Sequence, residues 1–443
     1  METCRFNPYP NEFLNSLDIL AHYLMRPWRI SVDHGLSCFV PTTKELKTPY
    51  AFLASSMVLF PLYVLLLMVT TIPGIFGVLL WLSICHQRSN FRISVCNKDQ
   101  LAKDYITLNR NYMKATQVKG KGVFESTPYE FSQTKFTFAT LNVCFLQEVL
   151  SRYNNLGHTA TRADLIGRRI AANQLQFQKN TSKRHSEQNG HLLQTADGDM
   201  RLEQNGVCDK TNHLGNTQSE NFERKTYDIT VNDTKSTMDV TVLPEFPDTD
   251  FLIFQETWDN KLAECLISHL HQVYPYVVYD AGEVGIEENG YCNNSALLIA
   301  SKVPIIEVRF HVYPNSHRHL QDKLSSKGLL QVKVYLGQKD GKRKVGLIHT
   351  SHLQVFPGKL TVRLSQLDDI VKWTKEFRSE SQEDDIAFDV LAGDFNFDNT
   401  SPVDSRDYSH EVFREFRDIC RVKPGEDHPF VVGKDGYEAH PIL

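Results

Sequence analysis

The side chains able to do phosphate or metal chemistry stand where apolar runs of this chain end or begin. Asp394 and Asn396 follow the run 386–392 across Gly393. Asn142 closes the run that starts at Phe136, and Glu256 follows residues 251–254. Asn294 opens onto 296–300, Lys327 precedes 329–335, and His352 follows 345–348. A carboxylate and an amide two residues apart in extended backbone point the same way. Such a pair can hold a metal-bound water or a histidine and hydrogen-bond a phosphoryl oxygen. Taken singly, Gly-Asp-Phe-Asn is equally a strand-to-loop turn, because Gly, Asp and Asn are turn residues. A glutamate directly after an apolar strand is equally a solvated strand end. The number of polar strand ends on one chain points instead to a site assembled at one rim of a sheet. Carboxylate and amide oxygens are hard donors that suit Mg²⁺, and no Cys/His spacing suggests zinc. The chemistry implied is metal-assisted hydrolysis of a phosphodiester, with a base for the water and hydrogen-bond or cationic stabilisation of the charge that develops.

Positioning those residues takes strands that alternate with helices. Apolar residues recur at helical spacing in 152–176, 259–272 and 360–377, between the short β-branched runs already named. That alternation predicts a layered α/β or α+β domain. Within it, residues 179–245 are polar and poor in large apolar side chains, which predicts a disordered insert.

No Asp, Glu, Lys or Arg occurs between Lys47 and Arg88, and residues 52–84 are nearly all apolar. This is long enough to cross a bilayer, which takes about 20 apolar residues. Pro61 and Pro73 would kink one tilted span or turn a re-entrant hairpin. Lys44, Lys47, Arg88 and Arg92 flank the stretch and place both ends on the cytosolic side. A second segment, 13–40, is apolar but interrupted by charge and reads as an interfacial helix pair or a shallow hairpin. The division expected is a membrane-associated region 1–96, a tether 97–132, and a globular domain 133–443 interrupted by the insert. Cys4, Cys38, Cys85 and Cys96 lie beside the apolar segments, where reversible palmitoylation is an option alongside ordinary free thiols. Nine cysteines without a C-x-x-C pair indicate reduced thiols rather than a disulfide framework. A net charge of −5 argues against sequence-independent nucleic-acid binding.

Phe-Ala-Thr-Leu-Asn-Val at 138–143, Phe-Gln-Glu at 254–256, Asn294-Ser295, Ser-His-Leu at 351–353 and Gly-Asp-Phe-Asn at 393–396 resemble, in order, the motifs of the exonuclease–endonuclease–phosphatase (DNase-I-like) superfamily. Asn-Pro-Tyr-Pro-Asn at 7–11, Arg-Tyr-Asn-Asn at 152–155, Ser-Lys-Gly at 326–328 and the apolar start bring the likeness closer to the mammalian-type neutral sphingomyelinases. It covers the chain except the polar insert. The resemblance implies a DNase-I-like four-layer α/β sandwich and Mg²⁺-dependent hydrolysis of sphingomyelin to ceramide and phosphocholine. It implies Glu256 as metal ligand with Asn142 helping to place the ion. Asp394 and Asn396 would orient groups around the phosphate, with Asn294, Asn396 and His352 on the substrate phosphate. Apart from the resemblance, Lys327 stands five residues after Asp322 in a loop with Ser325, Ser326 and Gly328; it is either a lysine that swings between Asp322 and the site or, equally, a solvated loop charge. The implied partners are sphingomyelin and membrane lipids, anionic phospholipids among them, with no nucleic acid, and oligomerisation left open. The implied location is the cytosolic side of a membrane, in the Golgi or at the inner leaflet of the plasma membrane.

The chain departs from the pattern at its end. The superfamily's last motif, a Ser/Thr-Asp-His whose histidine is the general base, is absent before Leu443. Asp427-His428 matches only as a dipeptide, and His440 has no visible partner. The expectation is a C-terminally incomplete sandwich. Beside the hydrolase reading stand an inactive membrane-bound isoform that binds lipid or associates with other chains, and another phosphodiesterase or phosphatase of the superfamily.

Overall fold

A computed structural model describes residues 2–109, 121–125, 135–194, 248–283, 294–314, 325–355, 360–429 and 431. Most of the expected insert lies outside these residues, as do Asp322 and His440. The chain divides into two units, one of residues 1–168 with 249–443 and one of residues 169–248. Of the second unit, the described residues form the continuation of one helix to Gln194.

The larger unit contains two sheets. The first orders its strands β1 (Thr3–Arg5), β2 (Arg92–Cys96), β6 (Tyr276–Tyr279), β7 (Leu298–Ser301), β5 (Phe251–Gln255) and β4 (Phe138–Asn142). The second orders β11 (Asp385–Asp394), β10 (Lys342–His352), β9 (Gly328–Lys339), β8 (Ile305–Val312) and β3 (Lys121–Val123). The strands form because β-branched and aromatic residues alternate to two buried faces. Ile93, Ile253, Val278 and Ile299 of the first sheet share one core with Val308, Val332, Val334 and Ile348 of the second. On the outer face of the first sheet, Ser94 bonds His271, just past helix α7 (Asn260–Leu270), at 2.7 Å. On the outer face of the second, Leu347, Val345 and Tyr335 pack with Phe377 of helix α8 (Leu360–Ser379). Helix, sheet, sheet, helix is the four-layer sandwich expected from the motifs.

The β8 strand lies outside the runs singled out in the sequence. The expected tether contains helix α4 (Gln100–Asn109), whose Ala102 and Tyr105 are buried and whose Tyr105 hydroxyl donates to Ile305 O at 2.8 Å.

The apolar start forms two antiparallel helices, α1 (Glu12–Ser37) and α3 (Pro49–Ile84), joined through the short α2 (Thr43–Leu46). Asn11 caps α1 through Leu14 N, and Thr42 with Glu45 forms a capping box on α2. Helix α3 runs unbroken through Pro61 and Pro73, so the hairpin turn considered at those prolines does not occur there. Glycines let the two helices approach: a Cβ on Gly74 would stand 2.7 Å from Trp28 Cβ, and one on Gly77 would stand 2.8 Å from Ala21 O. The 39-residue stretch Pro49–Gln87 is long and apolar enough to cross a membrane, and its most apolar window is only 6% buried.

Polar contacts fasten α1 to the body. Asp33 caps helix α5 (Glu148–Tyr153), accepting from Glu148 N and Val149 N at 2.9 and 2.8 Å. Arg92 reaches Asp18 at 3.3 Å and Asp280 at 2.9 Å, and Arg88 also pairs with Asp280. Arg88 and Arg92, read in the sequence as basic flanks of the apolar stretch, are therefore drawn inward by a carboxylate that only folding brings near.

Candidate active site

Strand direction explains why distant residues share a rim. Strands β4 and β5 are parallel, and β7 runs antiparallel to both β5 and β6. The ends of β4, β5 and β6 therefore lie beside the start of β7. In the second sheet β10 and β11 are parallel, with His352 opposite Asp394, and β9 is antiparallel to β10 with Leu329 opposite Ser351. The ends of β10 and β11 thus lie beside the start of β9, where Lys327 precedes Gly328.

One amide joins the two sheets. Asn142 Nδ2 donates to Glu256 Oε1 at 2.8 Å and to Asp394 Oδ2 at 2.9 Å. Its Oδ1 accepts from Cys144 N at 3.2 Å. Two carboxylates from different sheets are held together by one neutral donor, which offsets part of their repulsion. The Cys144 thiol stands against this group. Burial, and then the Glu256 charge, push it up to about 11, so it is a protonated, inert neighbour at neutral pH.

Leu353 O is a second junction. It accepts from Asn396 Nδ2 at 3.0 Å and from Lys327 Nζ at 2.9 Å. Lys327 is almost wholly buried, where a lysine is rare unless paired. His352 beside it is also buried, and its Nδ1 has no hydrogen-bond partner among the described residues. Burial, with the Lys327 charge second, holds this imidazole well below the usual histidine range. It is a neutral ring at physiological pH.

Asn294 is set by a different frame. Its Nδ2 donates to Asp280 Oδ1 at 2.8 Å and to Asn260 Oδ1 at 3.1 Å, while its Oδ1 accepts from Ala296 N at 3.0 Å. Burial would raise the Asp280 carboxyl, but the opposed charges of Arg88 and Arg92 outweigh it and hold the pKa below the ordinary carboxylate value. The same stretch touches both junctions. Thr257, next to Glu256, donates its N–H to Ala296 O at 3.0 Å. Ser326, next to Lys327, accepts from Glu283 N at 2.8 Å.

The rim concentrates unusual backbone. Cys144, Glu256, Asp280, Ala296 and Asn396 all have positive φ, between 49° and 60°. Each lies within two residues of the rim end of β4, β5, β6, β7 or β11. Left-handed backbone at residues other than glycine costs about 1–3 kcal/mol and persists where the surroundings over-determine it. It also corrects one expectation. Asp394 and Asn396 do not sit in one extended segment; Asp394 Oδ1 accepts from Asn396 N at 3.1 Å and the chain turns back. Arg363 of α8, which the sequence reading passed over, fixes this turn. It donates to Asn396 O, and to Asp404 and Asp407 at 2.6 and 3.0 Å. Nothing in a helical Arg at that position signals the role, because all three partners are brought to it by the fold.

No family model matches the chain. Sphingomyelin phosphodiesterase 5 of Danio rerio is 31% identical over 465 residues, covering 97% of this chain and 80% of that protein. The chain belongs to the sphingomyelin phosphodiesterase family. Among solved structures, a β-hairpin deletion mutant of beta toxin from Staphylococcus aureus aligns at 18% identity and a TM-score of 0.36, covering 64% of this chain and 72% of that one. A double mutant of the same toxin solved with bound magnesium ions aligns at 24% identity and a TM-score of 0.29, covering 35% of this chain and 54% of that one. In this phosphodiesterase the residues singled out from sequence fall into the two junctions and the Asn294 frame just described. Asp427-His428 lies elsewhere in sequence, on a short hairpin where Asp427 accepts from Asn399 Nδ2.

Proposed function

We propose that this chain hydrolyses the phosphodiester of sphingomyelin to ceramide and phosphocholine at a membrane surface, with Mg²⁺ held at Glu256. The observation that carries the reading is the Asn142 bridge, which sets two carboxylates from separate sheets at one point. The donor set fits the ion: Glu256 and Asp394 offer hard oxygens, and the Cys144 thiol near Glu256 stays protonated. Glu256 holds the ion and Asn142 orients that carboxylate. Bound there, Mg²⁺ would polarise a phosphoryl oxygen and make a bound water more acidic.

The protein's own groups do the rest. Asn396 is pinned by Arg363 and by Leu353 O, so its amide is held ready beside the phosphate rather than recruited. Lys327 supplies a cation at the same junction. His352 enters as a neutral ring and donates or shares a proton with the phosphate as a hydrogen-bonding group. Asn294, locked by Asp280 and Asn260, presents a fixed amide.

The apolar helix supports the membrane part of the reading. Residues just before α3 are tied to the body, with Arg152 paired to Glu45 at 2.7 Å and Asn155 bonded to Thr43, and Arg88 just after it pairs with Asp280. Because α3 is unbroken and both of its ends are tied to the globular body, we read it as packing into one face of the membrane rather than crossing it, and we place that face on the cytosolic side.

The test is phosphocholine release from sphingomyelin vesicles with Mg²⁺, beside Glu256→Ala and a chelator control. We expect release that both treatments lower by about 100-fold or more. Release that survives in Glu256→Ala overturns the assignment of the ion. No release from the unaltered chain, with vesicle binding intact, favours a lipid-binding role without catalysis.

A further inference from the structure

A second group of potential ligands shares no residue with the carboxylate rim. Helix α6 (Thr159–Gln194) presents Asp164, and α7 presents Cys265 and His269 four residues apart on one face. One carboxylate oxygen, the Cys265 sulfur and one imidazole nitrogen all lie within 4.8 Å of one another. We propose that Asp164, Cys265 and His269 bind a zinc-class divalent cation that pins the start of α6 to α7.

The geometry is close to what such an ion needs. Tetrahedral Zn²⁺ with bonds of about 2.0–2.3 Å sets its ligand atoms roughly 3.4–3.8 Å apart. The Cys265 sulfur therefore needs to close on the others by up to about an ångström, and the Asp164–His269 pair at 2.8 Å needs to open by roughly half of one, both within reach of side-chain rotation. His269 Nε2 already lies 2.8 Å from Asp164 Oδ1, so two ligands are pre-oriented and the ion replaces the shared proton. The other oxygen of Asp164 is held by Arg168 from the next helical turn, the kind of outer contact that fixes a ligating carboxylate. Gly167 lets the imidazole lie flat on α6, since a Cβ there would stand 2.9 Å from His269 Cδ2. A Cys–His–Asp set mixes a soft, a borderline and a hard donor, which suits Zn²⁺ and not Mg²⁺. Half-exposed Cys265 and Asp164 leave a fourth position open to water. Binding takes the thiol proton and moves the remaining imidazole proton to Nδ1, so one proton is released per ion when His269 starts neutral. The linear sequence hides the site, because the third ligand comes from another helix.

The test uses the full chain in detergent or nanodiscs, stripped with chelator and dialysed against Zn²⁺. We expect one retained zinc per chain, and Co²⁺ in its place should give a near-ultraviolet thiolate-to-metal absorption band. Cys265→Ser should abolish the band, and Cys265→Ser and His269→Asn should each weaken binding more than tenfold. Glu256→Ala should leave both unchanged, which separates this site from the catalytic ion. Added Zn²⁺ should raise the thermal midpoint of the unaltered chain but not of the two ligand variants, whose metal-free midpoints report that they fold. No retained zinc, or a Co²⁺ band that persists in Cys265→Ser, overturns the proposal.

Discussion

Asp280→Asn is the substitution that most sharply separates stability from catalysis in this protein. Asp280 is buried between two guanidinium groups, and its other oxygen accepts from Asn294. The amide keeps the shape and keeps an oxygen for Asn294, but removes the charge. Leaving a buried ion-pair partner uncompensated costs about 3–5 kcal/mol. Arg92 retains Asp18 at 3.3 Å, which places the expected loss near the lower figure, about 3 kcal/mol. At roughly 2–4 °C per kcal/mol, the thermal midpoint should fall by about 6–12 °C. Hydrolysis measured well below that midpoint should keep kcat/KM within about threefold, because Asn294 stays anchored. Asp280→Ala removes the Asn294 anchor as well, and should lower kcat/KM in addition to the midpoint. Replacing Arg88 and Asp280 together by apolar residues should recover much of the stability, as buried pairs often exchange for packing at little cost. A midpoint shift below about 2 °C in Asp280→Asn would refute the reasoning, since it would mean that the buried charges contribute nothing net. So would a loss of kcat/KM as large as that of Glu256→Ala.

Asn142→Asp replaces a double donor by a third carboxylate at the bridge; hydrolysis should fall at least about tenfold and the Mg²⁺ needed for half-maximal rate should change, read from a metal titration. Gly393→Ala sets a Cβ against Ser351 O between two paired strands; the overpacking should cost about 1–3 kcal/mol, seen as an earlier urea midpoint. Burial lowers the His271 pKa from 6.5 to about 4. The folded state therefore binds fewer protons than the unfolded one between those values. The His271 contribution to stability should be flat above about pH 6.5 and fall by roughly 3 kcal/mol as pH drops towards 4, with His352 adding in the same direction. His271→Gln should flatten that slope in denaturant titrations at stepped pH.

The parts of the site legible in sequence were those set by local pattern. Glu256, His352 and Asp394 stand at strand ends because apolar runs stop there, and stopping is a local property. The apolar helix was legible for the same reason. Partners that the fold supplies were not: Arg363 reads as one more charge on an amphipathic helix, and Arg88 and Arg92 read as basic flanks of the apolar stretch until Asp280 arrives 192 residues later to claim Arg88. Asn396 was misread as extended because the Asx turn onto Asp394 depends on a competition between local hydrogen bonds that residue type alone does not decide. Helix α4 reads as part of a tether because its apolar residues are few; its packing rests on Ala102 and Tyr105 rather than on a long stripe.

The pairing of β4 with β5 has a kinetic side. Asn142 and Glu256 touch although they stand 114 positions apart in the chain, while β8, β9 and β10 pair with their immediate sequence neighbours. Closing a long loop must be accomplished before its contacts repay the entropy, so near-neighbour strands zip first. Pulsed hydrogen exchange should find β9 and β10 protected before β4; simultaneous protection would contradict this order. The carboxylate bridge then forms among the last events, and a chain emerging from the ribosome passes most of its maturation with its reactive groups still apart.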